Sequence, residues 1–421
     1  MKKVLFVGFY DDYARFYSSV SNELKNLIGI ESTFWYFNLS GYLYGKVHKQ
    51  NCHLINVESC INKHEPILTE IDYDSYLKYN RSCEILTPAL EEKLIIKASN
   101  YYSYISSVFE SQKFDLVVMP GDCRMLERII IDLAKINDIE TVYFEQGPYG
   151  TTIIDEQGVN SYCSFRSNFQ LSNESCSKKF SKPNKNKKFR RNPIYRGLDK
   201  IIDKLFRTHE VYPYENREYS LNKVVSVKEY EDIKEISKDS EYILLILQVP
   251  HDANFTHHNP HFSSHFEMLR TIHSNKPVKS KILVREHPLY KMRYEKELYD
   301  FISCSDDVFL DKSASVEDTF KKAEIVVVNN STSGLDALSH YKKVIVLGDS
   351  YYDQAPCVFK VESLNNLDCF IENVINSKIE YDMVDRYLSS LVYNYLLPGH
   401  YRDDTLTVSK LVAKKLKIVL G

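Results

Sequence analysis

Ile325-Val326-Val327-Val328-Asn329-Asn330-Ser331-Thr332-Ser333-Gly334-Leu335-Asp336-Ala337-Leu338 runs from an unbroken apolar stretch into hydroxyl residues, a glycine and then helix formers. A strand buried on both faces reads as a continuous apolar run, and one that passes straight into a helix is half of a βαβ unit. Outward from this stretch the same rhythm repeats. Residues 242–249, 281–285, 308–310 and 344–347 read as further strands, and residues 262–274, 290–302, 316–322 and 334–341 as helices.

The first half has the same alternation. Strands are expected at 3–8, 32–38, 115–119 and 140–145, and helices at 13–28, 87–112 and 124–137. Gly29 suits a helix C-terminus, and Thr87-Pro88 suits an N-cap followed by the first helical residue. The fold class is therefore α/β: two Rossmann-like βα domains facing a cleft. The expected division is 1–215, then 216–390, then a helical tail, 391–421, packing across the domains.

Composition narrows the function. The chain has 421 residues, 54 basic and 57 acidic, for a net charge of −3, which argues against a general nucleic-acid coat. Nine cysteines, at 52, 60, 83, 123, 163, 176, 304, 357 and 369, form no CxxC pair and fit reduced thiols. The apolar run after Met1-Lys2-Lys3 stops at Tyr10-Asp11-Asp12, too soon for a signal peptide. No stretch approaches the roughly 18 apolar residues of a membrane helix, so a cytoplasmic protein is expected, peripheral at most to the inner face of the plasma membrane. Residues 178–207 carry twelve Lys or Arg against two Asp. They read first as a solvated, mobile linker and second as an amphipathic surface for anionic lipid or glycan.

Several strand ends could carry chemistry. The Ser331, Thr332, Ser333 and Gly334 turn offers donors to a phosphate or carboxylate, or else plain N-capping. Arg285-Glu286-His287-Pro288 follows a strand, which puts His287 and Pro288 at the carboxyl edge where open α/β sheets bind ligands. Leu247-Gln248-Val249-Pro250-His251-Asp252 brings Gln248 and Asp252 to the same edge, with Asp252 also readable as a helix cap. Glu145 closes a first-half strand, and two carboxylates could serve glycosyl transfer. His251, His257, His258, His261 and His265 cluster, and His261/His265 would suit a metal only on one helix; no metal site is expected. No P-loop or GxGxxG fingerprint occurs.

Taken in order, Glu145-x-Gly147, Gly158-Val159-Asn160, Leu247-Gln248-Val249-Pro250-x-Asp252, His287-Pro288, Asn330-Ser331-Thr332-x-Gly334-Leu335-x-Ala337-Leu338 and Leu347-Gly348-Asp349-Ser350-Tyr351-Tyr352-Asp353 resemble the bacterial capsule polysaccharide biosynthesis family that includes β-Kdo glycosyltransferases. The resemblance implies a GT-B-like fold and a retaining transfer of 3-deoxy-octulosonate (Kdo) from CMP-β-Kdo, without cofactor or metal. It implies Asp252 as nucleophile and Glu145 as acid/base. Gln248, Arg285, His287, Pro288 and Ser331–Gly334 would hold the donor, and Gly147 and Asn160 would lie on the acceptor side. The implied partners are a CMP-sugar and an oligosaccharide or glycolipid acceptor, with an anionic membrane or capsule-assembly proteins as peripheral contacts and no nucleic acid. Pro148-Tyr149-Gly150 stands where relatives often carry Arg-Pro. An inverting CMP-sialic-acid-type transferase, a CDP-polyol-phosphate transferase and a non-catalytic capsule-assembly module are the alternatives.

Overall fold

The computed structural model describes residues 1–55, 70–83, 86–171, 179–183, 186–206, 230, 233, 235–237, 239–250 and 252–421. The chain forms two compact units: Met1–Val159 with Lys182–Arg217 and Val392–Gly421, and Asn160–Ser181 with Glu218–Leu391. The sequence groups residues 160–181 with the first half; the structure gathers them into the second unit. It also gathers the tail from Val392 onward into the first. His251, Cys60, Cys176, Lys178 and Arg207 lie outside the described residues.

In the first unit the strands are β1 (Lys2–Gly8), β2 (Ile30–Tyr36), β3 (Cys52–Leu54), β4 (Leu116–Met119), β5 (Glu140–Gln146), β6 (Thr151–Asp155) and β13 (Leu397–Pro398). Their order is β13-β6-β5-β4-β1-β2-β3, with only β6 and β13 antiparallel to their neighbours. Val4 to Val7 are fully buried because β1 is covered on both faces. Leu5 and Val7 join the core under helices Tyr73–Cys83, Pro88–Gln112 and Met125–Ile136. Val4 and Phe6 join the opposite core under Asp11–Ile28 and Val408–Leu420. Gly29 ends Asp11–Ile28 at φ 67°, and the Thr87 side chain accepts from the Leu90 N–H ahead of Pro88, as the sequence predicts. The hairpin of β5 and β6, helix Leu39–Val47 and β13 are not predicted.

The second unit holds β7 (Tyr242–Ile246), β8 (Ile282–Arg285), β9 (Val308–Leu310), β10 (Ala323–Val328), β11 (Lys343–Val346) and β12 (Phe359–Lys360), all parallel, in the order β12-β11-β10-β7-β8-β9. The chain winds outward from β7 through β8 to β9, then restarts at β10 and winds the other way. This is a Rossmann-like topology, and its switch point lies between β7 and β10. Two predicted helices start late. The first is His265–Asn275; the second is Lys296–Cys304, because residues 290–295 fold back under Glu286 instead of coiling. There the buried Glu286 carboxylate accepts from the Met292 N–H (2.7 Å) and the Tyr299 hydroxyl (2.5 Å).

One correction concerns the basic segment. Residues 186–206 are not a free linker: Arg191 pairs with Asp12 (2.8 Å), the Asn192 N–H donates to Asp11 (2.6 Å), and Asn186 donates to Asp403 (2.9 Å). Asp11, Asp12 and Asp403 are all buried. Charge composition suggests solvation, but three buried carboxylates need partners, and this segment supplies them.

His400 is buried beside this segment, its Nδ1 accepting from the Arg402 N–H (2.9 Å). Burial, with help from Lys188 and Arg402 and against Asp403, holds its pKa down to about 4. The unfolded chain therefore takes up the proton first as pH falls from about 6.5, and stability drops until about pH 4. Urea unfolding should show about 2–3 kcal/mol less stability from this group at about pH 4.5 than at about pH 7.5. His400→Gln should remove that part of the slope.

Candidate functional site

The carboxyl ends of β10, β7 and β8 are adjacent. Val328 pairs with Ile246, and Ile246 with Arg285, so these three stand in one row. Two residues past that row come Asn330, Gln248 and His287. Gln248 Nε2 donates to Asn330 Oδ1 (3.0 Å), closing the switch point from β7 to β10. On the other side the Tyr294 hydroxyl donates to the Gln248 carbonyl (3.2 Å) and accepts from the His287 N–H (3.0 Å). Tyr294 thus locks the His-Pro turn to the end of β7. Sequence reasoning missed it because it lies inside a segment read as helix.

His287 is half-buried, and its Nδ1 accepts from the Leu289 N–H (3.3 Å). An accepting Nδ1 leaves Nε2 as the protonated nitrogen of the neutral ring. Burial lowers the His287 pKa, and the nearby Asp252 charge acts the other way. The ring is therefore a neutral donor with a carboxylate for a neighbour. Arg285 is committed elsewhere: it pairs with Asp311 and reaches the Ser313 hydroxyl (3.1 Å) at the end of β9. Pro288 is exposed in the turn.

Asp252 caps the short helix Ala253–His257, its Oδ1 accepting from the Asn254 N–H (2.8 Å). The same helix is tied to residues 160 and 161. Asn160 donates to Asn254 Oδ1 (2.6 Å), and Ser161 Oγ lies 2.6 Å from His258 Nδ1. Asn330 Nδ2 lies within hydrogen-bond range of the carbonyls of Asn254 (2.7 Å), His258 (2.9 Å) and Asp349 (3.0 Å). Asn330 is therefore the hub that joins the Asp252 helix to β10 and β11. Asn160, expected on the acceptor side, sits with Asp252 in the second unit.

Helix Ser333–Ser339 has seven residues, and Thr332 precedes it without a side-chain cap. Ser331 Oγ accepts from the Ser333 N–H (3.2 Å), the capping alternative in its mildest form. The Tyr352 hydroxyl bonds the Ser331 carbonyl, and a Cβ at Gly334 would meet that hydroxyl at 2.5 Å. Glycine is needed here for close packing rather than for ligand approach. Thr332 is exposed, and Ser331 and Ser333 are half-exposed.

The Gly348–Asp353 stretch carries an ion cluster that composition does not show. Arg166 binds Asp353 through two nitrogens (2.9 and 2.7 Å) and Asp349 through one (3.1 Å). Lys360 binds Asp349 (2.8 Å) and the Gly348 carbonyl (2.6 Å). Burial alone would raise the Asp349 carboxyl, but Lys360 and Arg166 hold it below the usual carboxylate range. The signal in the sequence was the spacing of Asp349 and Asp353; nothing local pointed to Arg166.

The predicted His261/His265 pair does not share a helix. His265 opens His265–Asn275, fully buried and stacked on Phe255 with centroids 4.1 Å apart, while His261 lies before it with Nε2 at 3.3 Å from the Val361 carbonyl.

In the first unit Glu145 is half-buried on β5 opposite Ile153. The β5–β6 turn follows at once. The Gly147 N–H donates to the Thr151 carbonyl (3.0 Å), and Thr151 Oγ1 donates to the Pro148 carbonyl (2.7 Å). A Cβ at Gly147 would stand 2.3 Å from Thr151 Oγ1. Tyr149 takes φ 56° and Gly150 φ 73°. A tyrosine in the left-handed region is strained, so the turn, not the residue, sets this geometry.

A family model described as capsule polysaccharide biosynthesis protein matches residues 115–357, more than half of the chain. No curated protein matches the chain. Among solved structures, S. aureus MnaA with UDP is 16% identical at TM-score 0.36, covering 100% of this chain and 97% of that one. The Thermosulfurimonas dismutans KpsC β-Kdo 2,7 transferase is 16% identical at TM-score 0.42, covering 74% of this chain and 89% of that one. The KpsC β-Kdo 2,4 transferase of the same organism is 15% identical at TM-score 0.35, covering 66% and 88%.

Proposed function

Since the chain belongs to the capsule polysaccharide biosynthesis protein family, we propose that it is a retaining glycosyltransferase that moves Kdo from CMP-β-Kdo to a growing surface polysaccharide. The observation that carries the reading is the convergence of Gln248, Asn330 and His287 at the switch point of the second unit. Open α/β sheets bind nucleotide ligands at such a point. His287 donates through Nε2 to the donor phosphate, and the Ser331–Ser333 hydroxyls add donors beside it.

In this reading the Asp252 carboxylate attacks the anomeric carbon. The bond to the CMP oxygen breaks, and CMP leaves with that electron pair. The acceptor hydroxyl then attacks the glycosyl ester while Glu145 takes its proton, which restores the Asp252 carboxylate and retains configuration. A phosphate leaving group needs no protonation, so a neutral histidine suffices.

One observation favours a second reading. Asp252 Oδ1 is already used as a helix cap. In an inverting CMP-sugar transferase Asp252 would keep that structural role, and the acceptor would attack the donor directly. Incubation with CMP-Kdo and an oligosaccharide acceptor tests both: CMP release with a retained anomer by NMR supports the first, an inverted anomer the second. Binding without turnover would make the protein an assembly module, and a phosphodiester product from CDP donors would make it a polyol-phosphate transferase.

His287→Ala should weaken CMP binding by about 10–100-fold, the loss of one hydrogen bond to a charged group. Calorimetry indistinguishable from the unmodified protein would remove His287 from the donor site.

A further inference from the structure

The helix Pro193–Phe206 is packed inside out. Its inward side carries Asp199, a buried carboxylate that accepts from the Ser40 N–H (2.7 Å) at the start of Leu39–Val47 and pairs with Arg196 (2.7 Å). The Arg196 and Arg191 guanidiniums sit over the Tyr10 ring at 3.8 and 4.1 Å. These contacts fix the rotation of the helix. The residues left outward are Ile194, Leu198, Ile201 and Leu205, which are 72%, 36%, 55% and 69% exposed. Spacings of four, three and four put them in one narrow stripe. A helix that buries its aspartate and exposes four aliphatic side chains loses water contacts it could have kept, so the stripe calls for an apolar partner.

We infer that this stripe is a docking surface for an anionic lipid bilayer, which places the first unit against a membrane. Charge selects the lipid. Lys200 and Lys204 are exposed along one flank of the stripe, and Lys187, Lys188 and Arg190 are exposed just ahead of the helix. An apolar stripe bordered by lysines suits the boundary between headgroups and acyl chains, where lysine stems extend to lipid phosphates. This inference does not rest on the glycosyltransferase reading, and it goes beyond it. Among the described residues no helix is long and apolar enough to cross a membrane, so the contact would be interfacial.

The test is sedimentation of the full chain with vesicles of phosphatidylcholine alone and with about one-third phosphatidylglycerol. The unmodified protein should bind the anionic vesicles, and added salt should weaken binding. Ile201→Ser with Leu205→Ser should reduce partitioning by at least about tenfold. Lys200→Gln with Lys204→Gln should reduce it several-fold and blunt the salt effect. All four side chains are exposed, so unchanged thermal melting is expected and serves as the control. Equal binding of the serine variant and the unmodified protein would overturn the inference. So would a dimer, seen by analytical ultracentrifugation, that the serine substitutions break while vesicle binding stays the same.

Discussion

Asp252→Asn should lower transfer from CMP-Kdo by at least about a thousandfold while leaving CMP affinity and the folded state close to unchanged. The choice of asparagine follows from the cap. Asp252 Oδ1 accepts from the Asn254 N–H, and asparagine is as good an N-cap as aspartate. Asp252→Ala removes the cap as well and should cost about 1 kcal/mol of stability, confounding the comparison. A carboxamide cannot form the glycosyl ester, so the loss falls on the chemical step. Asp252 also acts to raise the His287 pKa; its neutralisation should move that titration further down, a shift NMR can follow independently of turnover. Glu145→Gln should be severely impaired in the second step, and mass spectrometry of that variant mixed with CMP-Kdo should find Kdo held on Asp252. An Asp252→Asn enzyme with full activity would sink the nucleophile assignment and leave the inverting reading.

The fold was legible wherever one strand or helix carried its own signal. Val4–Val7, residues 242–247 and Ile325–Val328 are continuous apolar runs because both faces of their sheets are covered. Thr87-Pro88 and Gly29 are local boundary signals, and both were right. What could not be read depends on partners far along the chain. β13, at residues 397–398, pairs with β6, at 151–155. The β5–β6 turn hides because the first of its two left-handed residues is Tyr149, where a turn signal predicts glycine or asparagine; only the second is Gly150. Residues 290–295 have helical periodicity, yet the buried Glu286 carboxylate captures the Met292 N–H and holds the chain in a loop. The basic segment misleads for the same reason: the carboxylates that order it stand at Asp11 and Asp12, about 180 positions upstream. At the candidate site the placement of His287 and Gln248 just past strand ends was legible. Tyr294 and the Asn330 hub that fix them were not.

Asp353→Ala should destabilise the second unit by about 3–5 kcal/mol, read as a shift in the urea unfolding midpoint. The Asp353 side chain is 0% exposed, and it takes both Arg166 nitrogens as well as the Ser350 N–H (3.2 Å). Removing it leaves Arg166 with one carboxylate, Asp349, which Lys360 already shares. The cost is that of a half-buried cation, its side chain 23% exposed, left with one shared carboxylate. Arg166→Ala should cost less, because Lys360 (3.6 Å) and the Ser350 N–H still face the Asp353 carboxylate. Because both single changes remove the two Arg166–Asp353 hydrogen bonds, the double variant should be less destabilised than the sum of the two. The effect should also reach the chemistry. Arg166 holds the segment that contains Asn160 and Ser161, and these contact Asn254 in the first turn and His258 at the C-terminal end of the helix that Asp252 caps. Loosening the segment releases one support of that helix. Folded Asp353→Ala protein should therefore turn over more slowly at unchanged CMP affinity, whereas a variant that keeps full turnover would confine the ion cluster to stability alone.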